Sequence, residues 1–250
     1  MLFSAYAVTE CGPFYIKNQD CFAMTGQENI RCVSHAAIHL RGKVYQYAVC
    51  DGIGSMPDSE KAAEIACQTL INPLPISDLR KQLWEGMLQA EKRVCQLGCG
   101  GTTAVALYSD GEYAAIANVG DSRAYLFRGG HLSQLSVDHN RKNILQTLQI
   151  DDATAKSAGL NPSALTQYLG MGRERIQIEP SCSPLIRLEE QDCFLLCTDG
   201  LTSVLPETEI TAVLGDGMAL RQKAEQLMKQ AIQEGAQDNV TVLLCKCDVK

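Results

Sequence analysis

Five aspartates stand where strand-length apolar runs begin or stop, and that pattern limits how the chain can fold. The runs "YQYAVC" and "CFLLC" give way to Asp51-Gly52 and to Thr198-Asp199-Gly200, and "IANV" gives way to Gly120-Asp121-Ser122. Asp20 stands just before "CF" and Asp238 just before "NVTVLL". A carboxylate beside a core is costly unless it is solvated or paired. If these strand ends meet at one rim of a sandwich, five negative charges converge and repel one another. A pair of divalent cations relieves that repulsion, and hard oxygen ligands without His or Cys suit Mg²⁺ or Mn²⁺ rather than zinc. Taken singly, each Asp-Gly pair is also an ordinary turn signal, and Asp110-Gly111 and Asp216-Gly217 are read as plain turns.

The runs that carry these acids set the fold class. Strands are expected at Phe3–Val8, Val44–Cys50, Thr102–Tyr108, Tyr113–Val119, Arg123–Phe127, Ile176–Glu179, Cys193–Cys197 and Val240–Cys245, from β-branched, aromatic and small apolar residues bounded by turn signals. Asp110-Gly111 at the centre of "YSDGEY" marks a two-residue hairpin. Helical periodicity covers Asp58–Leu70, Ile76–Leu97 and Met218–Glu234, with Ser77 or Asp78 as a cap for the second and Pro206-Glu207 starting a short helix before Leu214. Helices placed between early and late strands favour an α+β sandwich with helices outside antiparallel sheets over a doubly wound parallel sheet.

Composition excludes several partners. The 29 acidic against 22 basic residues give a net charge of −7, which repels nucleic-acid phosphates and anionic membranes. The N-terminus lacks a basic stretch before an apolar core, and no long uninterrupted apolar run occurs, so a cytoplasmic monomer is expected. The twelve cysteines sit mostly inside apolar runs, without zinc-knuckle spacing or a His cluster, and are read as reduced core thiols. No linker or repeat divides the 250 residues, so residues 1–250 are taken as one domain.

In order, "NQD", "YAVCDGIGS", "GCGGTTAVAL", "IANVGDSRAYLFRGGHLSQLSVDHN", "FLLCTDGLTSVL" and "QDNVTVLL" resemble the bacterial metal-dependent (type 2C, PPM) serine/threonine protein phosphatases from about Gly12 to Leu244. The resemblance implies a four-layer αββα sandwich of two antiparallel sheets flanked by helices, with a centre of two or three Mg²⁺ or Mn²⁺ at one end. Asp51 would bridge two ions, with the Gly52 carbonyl on one of them. Asp199 and Asp238 would complete one shell, Asp20 would hold the other ion partly through water, and Asp121 with Asp199 matches a third-metal position. Thr102 and Thr103 match a buried strand start, and Asn239 a turn that aims Asp238. Two ions about 4 Å apart would activate a bridging water for in-line attack, without a phosphoenzyme. The chain agrees in having no Cys with an Arg six positions later, no Asp-x-Asp-x-Thr and no Walker loop. The substrates implied are phosphoserine and phosphothreonine in proteins, the products of a Ser/Thr kinase. Residues at about 139–175 correspond to a variable flap that chooses among them, and "NPSALTQYLGM" resembles its usual ending.

The pattern departs at two places. Ile53 stands where some eukaryotic members have a histidine, and His139 is read as holding a loop. Tyr15 stands where many members have a phosphate-gripping arginine, and the nearby Lys17 is a point charge without a bidentate guanidinium fork. A second reading therefore stays open beside the enzyme, a weak or inactive phosphatase-like domain that binds phosphoproteins as a regulator. If phosphate binding is weakened by the missing fork, Tyr15→Arg lowers KM for a phosphothreonine peptide in steady-state phosphate-release assays. An unchanged KM removes that argument.

Overall fold

The computed structural model describes residues 2–14, 16–26, 35–40, 45–72, 74, 77–174 and 176–248. Tyr15, the expected strand start at Val44, the expected helix start at Ile76 and the flap boundary at 175 lie outside them.

Two antiparallel sheets form the centre. The first runs in the order β3-β1-β12-β11-β7-β8, from His35–Leu40 (β3), Leu2–Glu10 (β1), Val240–Asp248 (β12), Cys193–Cys197 (β11), Arg123–Arg128 (β7) and His131–Gln134 (β8). The second runs β10-β6-β5-β4-β2, from Ile186–Arg187 (β10), Tyr113–Val119 (β6), Ala104–Ser109 (β5), Tyr45–Cys50 (β4) and Cys21–Met24 (β2), with Ser181–Cys182 (β9) also paired to β6. Helices α1 (Ser59–Leu70) and α2 (Leu79–Gln96) cover the second sheet. On the first lie α5 (Asp199–Thr202), α6 (Glu207–Gly215) and α7 (Leu220–Gln233).

Three apolar layers explain why the strands read as continuous rather than alternating. Tyr45, Tyr47 and Val49 of β4 enter the layer between the sheets, where Phe194 and Leu196 of β11 meet them. Ala48 and Cys50 face α1 instead, and Leu195 and Cys197 face the other helices. A strand covered on both faces has no solvent side on which to place polar residues. Many helix-facing positions of the second sheet are small: Ala48, Ala104 and Ala106 lie in the layer with Ala62, Ala63 and Ala66 of α1, and Ala115 and Ala117 of β6 lie under α2, so the helices pack close. The cysteines spread over all three layers, and the eleven described are free thiols.

Asp78 caps α2 by accepting from the Lys81 amide at 2.8 Å, and α6 begins after Pro206 as expected. Three local expectations are corrected. Residues 176–180 form no strand, because the Glu179 amide donates to the Gln167 side chain at 2.6 Å rather than to a neighbouring strand, and Pro180 has no amide hydrogen to give. The β5–β6 hairpin turns on Gly111 and Glu112, because the Asp110 amide already bonds the Tyr113 carbonyl at 3.2 Å and Gly111 takes φ 87°. β5 starts at Ala104, since Thr102 makes isolated bridges to Gly52 and Leu169.

The two faces of β5 make opposite demands. Leu107→Ala empties part of the inter-sheet layer and costs about 2–5 kcal/mol, whereas Ala106→Leu overfills the helix-facing layer and costs about 1–3 kcal/mol, both read from urea unfolding. A neutral Ala106→Leu contradicts the tight helix packing.

Candidate metal centre

The topology brings the five strand-end aspartates to one rim. Asp20 precedes β2 and Asp51 follows β4, strands whose Cys21 and Cys50 are paired. Asp121 lies between β6 and β7, and Asp199 follows β11, whose Cys197 pairs with both Arg123 of β7 and Val242 of β12. Asp238 lies two residues before β12. A cavity of about 300 Å³ opens there, lined by Asp51, Asp121, Asp199 and Asp238 with Gly52 and Thr103. Asp20 lies fully buried behind them.

The two Asp-Gly pairs at this rim are not turn glycines. A Cβ on Gly52 would stand 2.7 Å from the Gln19 carbonyl oxygen and 2.8 Å from that of Ser59, and one on Gly200 would stand 2.1 Å from the Asn239 carbonyl oxygen. Each glycine lets two backbones touch, which sets Asp51 beside Asp20 and Asp199 beside Asp238.

Neutral donors hold the acids in place. Asp20 Oδ2 accepts from Thr198 Oγ1 at 2.9 Å and Thr241 Oγ1 at 2.7 Å, and its amide donates to Asn18 Oδ1 at 3.0 Å. The Asp51 carbonyl accepts from Thr102 Oγ1 and from the Thr103 amide, both at 2.8 Å, while the Asp51 amide donates to Thr103 Oγ1 at 3.1 Å. The expected packing threonines thus also fix the backbone of Asp51. Asn239 shapes the turn as read: its amide donates to Asp238 Oδ1 at 2.8 Å, and its side chain accepts from the Gln19 amide and donates to the Cys11 carbonyl. His139 holds the Asp121 loop, with Nδ1 accepting from the Gly120 amide at 3.2 Å, which leaves Nε2 to donate to Ser181 Oγ at 2.8 Å. Thr198 and Thr241 were not singled out in the sequence; their adjacency to Asp199 and to the Asp238-Asn239 pair was the available signal.

Burial, reinforced by the neighbouring acids, pushes these carboxyls up. Asp20 rises to about 7 through burial with Asp238 and Asp199 nearby, against the lowering bonds from Thr241 and Thr198. Asp121 rises to about 7 through burial and Asp199, and Asp199 to about 6 through burial and Asp238. Asp51 is held well above the usual range by burial and then by Asp20, Asp199, Asp238 and Asp121. Asp238 is raised by burial.

The donor set suits a hard divalent cation. Asp199 Oδ1 is buried and has no hydrogen-bond partner among the described residues. Among the same residues no three carboxylate, imidazole or thiol groups close into a ready cage, so the fit is one of charge and oxygen chemistry. Among the described residues the cavity lining contains no Lys, Arg or His. Lys17 lies outside that lining, on the surface, with Nζ 3.4 Å from Glu60. Arg123, in the Gly-Asp-Ser-Arg block, forks onto Asp138 at 2.6 Å to 3.1 Å. Ile53 lines the cavity, as do Ser163, Ala164, Leu165 and Tyr168 near the end of the 139–175 segment.

These carboxyls take up protons more readily in the fold than at their ordinary 3.8, so the folded state is favoured at low pH and loses that advantage as pH rises from about 4 to about 7. In EDTA the contribution of the cluster lowers Tm through that window, Asp121→Asn flattens the decline, and the Tm gain from added Mn²⁺ grows across it. An Asp121→Asn curve parallel to that of the unaltered protein contradicts the repulsion.

The family model of protein phosphatase 2C matches residues 6–240. The serine/threonine phosphatase Stp of Listeria welshimeri serovar 6b is 31% identical over 212 residues, spanning 78% of this chain and 82% of that protein. Stp of Listeria monocytogenes serotype 4b is 29% identical, spanning 80% and 84%. Among solved structures, the Streptococcus agalactiae serine/threonine phosphatase (S. agalactiae) superposes with TM-score 0.80 at 25% identity, over 98% of this chain and 100% of that one. The catalytic domain of the phosphatase PstP, solved with two manganese ions, superposes with TM-score 0.77 at 23% identity over 100% of both chains. The sheet topology agrees with these structural likenesses, and the chain belongs to the protein phosphatase 2C family of serine/threonine phosphatases.

Proposed function

We propose that this chain hydrolyses phosphoserine and phosphothreonine in proteins by the attack of water, with two divalent cations at the acid rim and without a phosphoenzyme. The observation that carries the reading is the convergence of five aspartates from five strand ends on one rim, four of them lining a cavity with no basic side chain among its described lining residues. Asp51 would hold both ions and the Gly52 carbonyl one of them; Asp199 and Asp238 would complete one ion's shell, and Asp20 would hold the other partly through water. Asp121 with Asp199 would take a third. Mg²⁺ or Mn²⁺, when bound there, supplies the charge that activates water and draws negative charge off the phosphate.

The chain's own groups position and neutralise. Thr102 and Thr103 fix the Asp51 backbone, so its carboxylate is aimed before substrate arrives. Thr198 and Thr241 donate to Asp20 without adding charge. No Cys or His lines the cavity among the described residues, and the Thr103 hydroxyl is engaged with Ser122 Oγ at 2.6 Å, which argues against a thiol, an imidazole or this hydroxyl as nucleophile. The segment 139–175 acts as a flap on a single phosphatase domain. Its Ser163, Ala164, Leu165 and Tyr168 form the wall facing the acids, where a phosphoprotein made by a Ser/Thr kinase would lie.

Asp199→Asn removes a carboxylate of the rim without changing its size. Phosphate release from a phosphothreonine peptide with Mn²⁺ or Mg²⁺ falls about 100-fold or more in this variant and is lost in EDTA. Folded, unaltered protein that releases no phosphate with either metal overturns the enzyme and favours the binding domain.

A further inference from the structure

Helix α2 packs its core face, Leu83, Met87, Ala90 and Val94, at 0% exposure, so its outer positions are rigidly placed. One of them reaches the exit of the flap. Glu91 Oε1 accepts from the Gly172 amide at 2.6 Å and from Cys95 Sγ at 3.2 Å, and Oε2 accepts from the Gly170 amide. The clamped segment continues toward the cavity. Leu169 exchanges backbone bonds with Thr102 at 2.8 Å and 3.1 Å, and Thr102 Oγ1 donates to the Asp51 carbonyl. Tyr168 lines the cavity and rests on Gly101, where a Cβ would come within 2.9 Å of the ring.

We propose that Glu91 is a positioning residue for the substrate wall: by clamping Gly170 and Gly172 it sets Tyr168 at the cavity, so peptide binding depends on it while the chemistry at the aspartates does not. The kinetic part rests on the phosphatase reading; the structural part does not. A carboxylate suits the task because two amides need two acceptor oxygens, and glutamine offers one oxygen and turns an N–H₂ toward the other amide. The contact can also be attacked from the opposite side. Gly172 is outside the positive-φ region, and a Cβ there would stand 2.6 Å from Glu91 Oε1, displacing the carboxylate.

The test compares Glu91→Gln and Gly172→Ala with the unaltered full chain. Hydrogen exchange at the amides of Leu169, Gly170 and Gly172 accelerates roughly tenfold or more in both variants, while the amides of β12 keep their protection. With Mn²⁺, KM for a phosphothreonine peptide rises about fivefold or more at unchanged kcat, and the kinetics on p-nitrophenyl phosphate, too small to span the wall, stay the same. Unchanged exchange overturns the clamp, and a parallel loss of kcat on both substrates overturns its restriction to binding. If the unaltered protein hydrolyses neither substrate, the phosphatase reading fails by itself. Peptide affinity from fluorescence anisotropy then replaces KM, and equal affinity in all three proteins overturns the positioning role.

Discussion

Carboxylates gathered at one rim repel each other and lose water together, and the surroundings of the rim answer to that penalty. A guanidinium or ammonium placed among them would be the simplest relief. Among the described residues none lines the cavity: Arg123 forks onto Asp138, and Lys17 stands beside Glu60. Thr198, Thr241 and the Asn239 amide supply hydrogen bonds instead, which orient an acid without cancelling its charge. The negative field is therefore kept for an added cation, and the burial that raises these carboxyls is what makes such a cation stabilising.

Keeping repelling groups close requires a backbone that cannot relax, and the Asp-Gly pairs provide it. At Gly52 and Gly200 the absent side chain admits a neighbouring carbonyl that any Cβ would exclude. Each contact ties a strand end of one pair to the loop carrying another acid. Behind these contacts lie strands buried on both faces, so displacement of an aspartate would disturb either the layer between the sheets or the layer under a helix. The rim is rigid because moving it would open a core.

Much of this was legible in the sequence, for physical reasons. Fully buried strands such as "YQYAVC" and "CFLLC" announce themselves by continuous apolar character, and the acids at their ends stand out because nothing in a core accounts for them. Short or half-exposed strands escaped: "CFAM" of β2 has four residues, and β8 presents His131 and Ser133 to solvent, so neither shows a run or a clean alternation. Ile176–Glu179 misled in the other direction, since its apolar alternation is real while the Glu179 amide bonds a side chain, Gln167, and not a strand. The threonine supports of Asp20 were invisible because they join positions 178 and 221 residues apart, a relation that spacing along the chain cannot express. Gly52 was legible as a turn residue and proved to be a contact residue, because a dipeptide does not reveal what approaches it.

The site divides its tasks between two kinds of structure. The acids hang on the ends of paired strands and inherit the stiffness of the three apolar layers. The opposite wall, from Ser163 to Tyr168, belongs to a segment of irregular backbone and short helices, among them α3 (Arg141–Thr147) and α4 (Asp152–Ser157), in which only Leu145 and Ala155 are buried. Its far end joins the helix-facing apolar layer through Leu169 and Met171, with Tyr168 packed against that layer. Polar ties at its two ends fix it further: the Thr166 amide on the His139 carbonyl at 2.8 Å, and Gly170 with Gly172 on Glu91. Polar ties can be altered one residue at a time without opening the sandwich, so the substrate wall can vary while the rim of aspartates stays as it is.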